Sequence, residues 1–179
     1  MGIEIVGLTK EVQAEEVVRS TMSGRLKLKT TPERSLLMSK VRHSGTSPEV
    51  KVRRLLHALG YRFRIEARDL PGSPDIVNRS GRWAIFVHGC FWHAHEKCRL
   101  WTIPKSNQEF WIKKFEDNRN RDRRKLKELS KLGYSVLIIW QCDLKNEQKL
   151  TRKLLRFKER SSSQKILKRG LHVRRNESH

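Results

Sequence analysis

The sequence predicts an α/β fold, a mixed central β-sheet flanked by helices, on three observations. A helical pattern at 47–59 leads into a strand period and a hairpin, a long charged helix then leads into an apolar run at 134–140, and helical spacing returns after residue 151. Strands interleaved with helix-length segments place helices against the faces of a shared sheet.

Residues 1–30 mix acidic, basic and small side chains without a sustained period, so they read as a poorly ordered leader, and the organised domain is expected over 31–158. Ser47-Pro48-Glu49 starts a helix with proline in its first turn. Val52, Leu55, Leu56 and Leu59 recur at helical spacing, and Gly60 supplies the stop. Tyr61, Phe63 and Ile65 then alternate with Arg62, Arg64 and Glu66, the period of a half-buried strand. Leu70-Pro71-Gly72-Ser73-Pro74 is too rich in proline for a strand interior, so the next strand is expected from Asp75. Turn residues Asn78-Arg79-Ser80-Gly81 join it to the apolar run Trp83-Ala84-Ile85-Phe86-Val87 as a hairpin.

Ser106-Asn107-Gln108-Glu109 has capping-box spacing and opens a charged helix that runs to about Leu132, with Gly133 as its stop. Tyr134 to Trp140 is the next buried strand. Leu154, Leu155 and Phe157 return to near-helical spacing before Ser161-Ser162-Ser163, and 159–179 is expected to be a flexible basic tail.

Composition narrows the partner. Lys and Arg number 40 against 19 Asp and Glu, a net charge of +21 over 179 residues, and the surplus persists when both termini are set aside. Such a field attracts a polyanion before any specific contact forms, so nucleic acid is the leading partner; a ribosomal-type RNA binder and a merely soluble basic surface are the other readings of charge alone. No apolar run approaches the ~20 residues of a membrane span, and the first residues lack the basic-then-apolar order of a secretory signal. A cytoplasmic protein is expected. Three cysteines there make no disulfide framework, which leaves metal ligation or burial.

The chemistry concentrates in Val87-His88-Gly89-Cys90-Phe91-Trp92-His93-Ala94-His95-Glu96-Lys97-Cys98, a mixture that core packing does not ask for. Cys90, His95 and Cys98 are spaced like a zinc knuckle, and Cys142, just after the last strand, can complete a tetrahedral set; three buried thiols and a surface imidazole are the other reading. A closed four-ligand site of this kind is structural and stabilises the fold. His88 and His93 are then left for other work. His88 ends one strand of the hairpin and Asp75 begins the other, so the two can face each other. A carboxylate is a hard oxygen ligand for Mg²⁺, and an imidazole can exchange a proton near neutral pH, which together suit phosphodiester cleavage. Taken singly, Asp75 is equally a turn residue and either histidine a structural one. Phe91 and Trp92 are either a wedge between base pairs or core side chains, and this segment alone does not choose.

These residues resemble the very short patch repair (Vsr) endonucleases, relatives of the PD-(D/E)xK restriction-endonuclease-like fold. The resemblance covers about Thr31 to Leu144 and rests on Met38-Ser39-Lys40-Val41-Arg42, Ser47-Pro48-Glu49, Leu70 to Asp75, His88 to His93, Phe110-Trp111, Asn118 to Arg124 and Trp140-Gln141-Cys142. It implies that Asp75 and the backbone carbonyl of Val87 ligate catalytic Mg²⁺, that His93 activates water while His88 assists at the phosphate, that Glu49 stands in the outer shell, and that Asp122 orients His93. It places structural Zn²⁺ on Cys90, His95, Cys98 and Cys142. The wedge falls on Phe91, Trp92 and Trp111 from one groove, with the helix of Met38 entering the other, and base contacts fall on Lys114 and Asn118.

The chain departs from the broader nuclease pattern in carrying Phe86 and His88 where an acidic residue and a lysine are expected. It departs from the family in Ala94, in one extra residue before Cys98, and in Val87 in place of the usual threonine. The resemblance implies a bacterial, nucleoid-associated monomer that nicks duplex DNA 5′ of the thymine in a T:G mispair, in repair linked to a DNA cytosine methyltransferase. Restriction or defence cleavage of intact or modified DNA, and a non-catalytic zinc-stabilised DNA-binding module, are the alternatives.

Overall fold

The computed structural model describes residues 30–40 and 44–176, with side chains as far as Ser161 apart from Arg34 and Leu37. The expected leader therefore lies almost wholly outside the described residues. Helix α1 (Pro32–Ser39) is followed by α2 (Ser47–Ala58), which starts after Thr46 with proline in its first turn. The Glu49 side chain folds back to accept from the Thr46 backbone N–H and hydroxyl, at 3.3 and 2.7 Å. That satisfies an N-terminal donor that the helix itself leaves open.

Four strands follow in the spatial order β1-β2-β3-β4: β1 (Arg64–Ile65), β2 (Ile76–Asn78), β3 (Trp83–His88) and β4 (Ser135–Trp140). The first three pair antiparallel and β4 runs parallel to β3, from Trp83↔Ser135 to His88↔Trp140. A parallel neighbour needs a crossover, and α3 (Gln108–Lys131) provides it. After β4, a 3₁₀ turn (Gln141–Lys145) leads into α4 (Glu147–Asn176). The mixed sheet flanked by helices is thus present.

Alternation along β3 divides the core. Trp83 and Ile85 join Val52 and Leu56 of α2 and Leu150, Leu154 and Phe157 of α4 on one face. Ala84 and Phe86 join Leu129 and Tyr134 on the other, beneath α3. Because side chains along a strand alternate, His88 shares the face of Phe86, and their rings lie 5.8 Å apart.

Several expectations are corrected. The strand expected from Tyr61 is only two residues long, since Tyr61 and Phe63 pack against the core without pairing while Ile65 is exposed. Strand β2 starts one residue after Asp75. The capping box at Ser106 does not form: Asn107 is the N-cap and is left-handed at φ 54°, outside the extended geometry a capping side chain needs. Helix α4 continues to Asn176, so most of the segment expected as a flexible tail is helical.

Candidate active site and metal centre

The inward stripe of α3 reads Trp111, Phe115, Asn118, Asp122, Leu126, Leu129, steps of three and four residues that keep one face of a helix toward the sheet. Four of these positions fill space with apolar side chains, and Asn118 hydrogen-bonds the Trp92 backbone. Asp122 instead puts a carboxylate against His93, with Oδ2 2.6 Å from Nδ1. The His93 ring lies flat on His88, centroids 3.7 Å apart and planes within 9°. The two imidazoles and the carboxylate form one cluster of potential donors at the end of β3.

Electrostatics assigns protons within it. Burial, reinforced by the charge on His93, pushes His88 down to about 3, so it is neutral at physiological pH. Burial favours the neutral form of Asp122 as well, but the hydrogen bond and charge of His93, with His88 and Arg121, outweigh it and hold the carboxyl below its usual range. An ionised Asp122 can only accept, so Nδ1 of His93 donates; when the imidazole is neutral its lone pair is therefore on Nε2.

Asp75 immediately precedes β2 and is not among the donors of this cluster; its link to it runs through the β3 backbone at Val87, next to His88. Its backbone carbonyl accepts from Glu66 N at 3.3 Å, and its Oδ2 accepts from Val87 N at 2.8 Å, so the residue is tied to both neighbouring strands. The preceding turn lies close against α3: a Cβ on Gly72, which has φ +78°, would come within 3.0 Å of Lys125 Cβ. Burial pushes the Asp75 carboxyl up to about 6, the Val87 N–H opposes the rise, and Glu49 and Arg53 add smaller opposed effects. Glu49 is buried and ion-paired with Arg53 at 2.8 Å. Hard oxygens at Asp75 and at the Val87 carbonyl, where β2 has already left β3, suit a small divalent cation, which would also favour the ionised form of a carboxyl raised by burial.

Cys90, His95, Cys98 and Cys142 meet with their donor atoms within 4.8 Å of one another. The Cys90 and Cys142 sulfurs lie 3.5 and 3.4 Å from His95 Nδ1. A tetrahedron with Zn–S of ~2.3 Å and Zn–N of ~2.0 Å has an S···N edge of about 3.5 Å, so the His95 edges to Cys90 and Cys142 match those of a zinc site. Burial and the neighbouring thiols push Cys142 up to about 12, a crowding that a bound cation relieves. The loop holds this shape at a cost, since Ala94 and Lys97 both have positive φ. His95 also stacks on Trp140 at 4.0 Å, which ties this centre to the imidazole cluster, because Trp140 packs edge-on against His88.

The aromatic residues expected as a wedge form a third centre. Trp111 and Phe115 are buried, and Phe91, Trp92 and Met38 pack against them half-exposed. Asn118 is itself buried and committed, its amide donating to the Trp92 carbonyl at 2.8 Å and accepting from Arg121 at 2.9 Å. Lys114 is exposed. Two residues that the sequence reading left aside also reach these sites. Arg53 holds Glu49, a pair signalled by i,i+4 spacing, and Arg119 pairs with Glu96 of the zinc loop. A cavity of about 350 Å³ beside the imidazoles is lined by His88, His93, Asp122 and Arg123 over Leu126 and Trp140.

The fold and site together set two stacked imidazoles and a carboxylate at the end of a central strand, on a chain charged to hold a polyanion. Residues 27–99 match the family model described as DNA mismatch endonuclease Vsr. The chain is 52% identical over 115 residues to a type II nicking enzyme, V.XorIIP, of Xanthomonas oryzae pv. oryzae, covering 64% of this chain and 84% of that one. It is 39% identical over 146 residues to the DNA mismatch endonuclease Vsr of Escherichia coli, covering 78% of this chain and 93% of that one. The type II nicking enzyme V.NmeAIP of Neisseria meningitidis is 42% identical over 118 residues, covering 66% of this chain and 84% of that one. The chain belongs to the Vsr family and is a DNA-cleaving hydrolase.

Proposed function

We propose that the protein is a Mg²⁺-dependent, strand-specific endonuclease that nicks duplex DNA 5′ of the thymine in a T:G mispair. Repair of deaminated 5-methylcytosine, alongside a DNA cytosine methyltransferase, is the role that follows, with the protein acting as a monomer in the bacterial cytoplasm. The observation that carries the chemistry is the His93–Asp122 pair at 2.6 Å, its imidazole stacked on a neutral His88, the residue next to the Val87 N–H that anchors Asp75.

Hydrolysis requires a water to lose a proton as its oxygen attacks phosphorus and a P–O bond of the strand breaks. His93 Nε2 takes that proton, and Asp122 stabilises the imidazolium that results. His88, neutral and buried against His93, is placed to hydrogen-bond a phosphate oxygen. A bound Mg²⁺ would be held by Asp75 and the Val87 carbonyl and would stabilise negative charge on the phosphate and on the leaving oxygen, which takes its proton from solvent. Glu49 supports Asp75 from the outer shell, and Zn²⁺ on Cys90, His95, Cys98 and Cys142 fixes the loop that carries His93. Phe91, Trp92, Trp111 and Met38 supply the wedge; Lys114 and Asn118 face the bases once the DNA has opened this cluster.

The test is a nicking assay on T:G, fully paired and methylated duplexes with Mg²⁺ or EDTA. Selective nicking of the T:G strand, lost in EDTA and in Asp75→Ala and His93→Ala, is the expected result. Equal cutting of all duplexes would establish a restriction-type activity, and binding without nicking a recognition module.

A further inference from the structure

Glu49 has no acceptor capacity to spare. Its Oε1 accepts from the Thr46 N–H and hydroxyl, and its Oε2 from Gly45 N at 3.0 Å and Arg53 Nη2 at 2.8 Å. A carboxylate offers about four lone-pair sites, so an outer-shell role at a metal requires one of these donors to leave. Three of them belong to the turn at Gly45 and Thr46 that starts α2. The fourth is a long side chain on the next turn of the same helix.

Arg53 is the donor suited to move. Its side chain is only 16% exposed, its Nη2 is held by Glu49, and its Nε is buried with no hydrogen-bond partner. Its charge and that of Glu49 both reach Asp75. The guanidinium is thus paired with one acid, Glu49, and its charge is felt by a second, Asp75, which a divalent cation would neutralise in its place.

We propose that Arg53 is a positioning residue that serves as the built-in counter-ion of the Asp75–Glu49 pair and competes with the divalent cation for it. The inference rests on the reading of a divalent-cation site at Asp75 and adds a residue that sets its affinity. When the cation binds, Glu49 exchanges the guanidinium for a cation-bound water, and the freed guanidinium turns toward the polyanionic strand. Cation binding and DNA binding then help each other, because both draw on the displaced arginine.

The experiment is a Mg²⁺ titration of the full-length protein at pH 8, followed by calorimetry and by thermal shift, with no DNA present. Arg53→Gln removes one positive charge beside a divalent ion and leaves Glu49 its three turn donors. Its midpoint is expected about tenfold or more below wild type, with a lower Tm in EDTA. Arg53→Lys keeps the charge and should restore a midpoint near wild type. Glu49→Gln should move the midpoint the other way, to higher Mg²⁺, which keeps the proposal decidable if Arg53→Gln does not fold.

An unchanged or raised midpoint in folded Arg53→Gln would overturn the counter-ion role while leaving the metal site intact. An unchanged midpoint in Glu49→Gln would overturn it too. A wild-type protein that binds no divalent cation would overturn the metal reading itself and this inference with it.

Discussion

His93 Nδ1 lies 2.6 Å from Asp122 Oδ2, although the two residues come from a tight loop after β3 and from the middle of α3. The contact fixes the imidazole tautomer. Asp122→Asn keeps the shape and removes the charge that stabilises an imidazolium, so nicking should fall on the order of 10²–10⁴-fold. Single-turnover kinetics with an unchanged DNA affinity and Tm would locate the loss in the proton transfer. A variant as fast as wild type would remove Asp122 from the mechanism.

The metal centre gives a second prediction. Elemental analysis should find about one zinc per chain, and Cys142→Ser or a strong chelator should lower Tm and abolish nicking even with Mg²⁺ in excess. Zinc-free protein with an undiminished Tm would rule the tetrahedral site out.

Stability should depend on pH through His88. Its folded value is depressed to about 3, below the ordinary imidazole value, so the unfolded chain binds the extra proton first. The stability from holding His88 neutral is full above about pH 6.5 and is lost as pH falls from there toward 3. Thermal melts in EDTA between pH 7.5 and 5, which lie at about the upper part of that window, should show a steeper fall for wild type than for His88→Gln. Parallel slopes would mean that His88 is charged in the folded protein.

The aromatic cluster should separate packing from recognition. Trp111 is 8% exposed, and Trp111→Ala should cost about 3–5 kcal/mol in a denaturation experiment. Trp92 is more exposed and is held at its backbone by Asn118. Trp92→Ala should therefore cost less stability but reduce the preference for T:G over paired DNA by roughly tenfold, if the side chain enters the unstacked step. Preserved preference would confine the cluster to the core.

Much of the fold could be read from local pattern. The helix at 47–58, the hairpin closed by Asn78 to Gly81, and the long helix ending before Gly133 follow from spacing and turn residues that act over a few positions. The errors arise where a distant partner decides. Strand β1 is short because β2 offers three residues between Pro74 and the Asn78 turn, whatever the alternation of Tyr61 to Ile65 permits. The four zinc-type donors were legible as a set because three share one loop and only one cysteine remained to join them. Asp122 was accessible in principle, as a charge on an otherwise inward stripe, but its partner lies 29 residues away and no local rule names it. Arg53 was missed for a related reason: i,i+4 acid–base spacing is ordinary on exposed helices, and its significance lies in burial.

The parallel ends of β3 and β4 have one more consequence. Cys90 follows the first strand and Cys142 the second, so a metal bridging them closes the intervening chain into a ring that contains both His93 and Asp122. Fastening residues so distant along the polymer removes loop entropy from the unfolded chain, and the gain grows only slowly with ring size. Imidazole and carboxylate thereby become members of one closed circuit, and losing the clasp would remove one of the restraints that hold the reactive pair together.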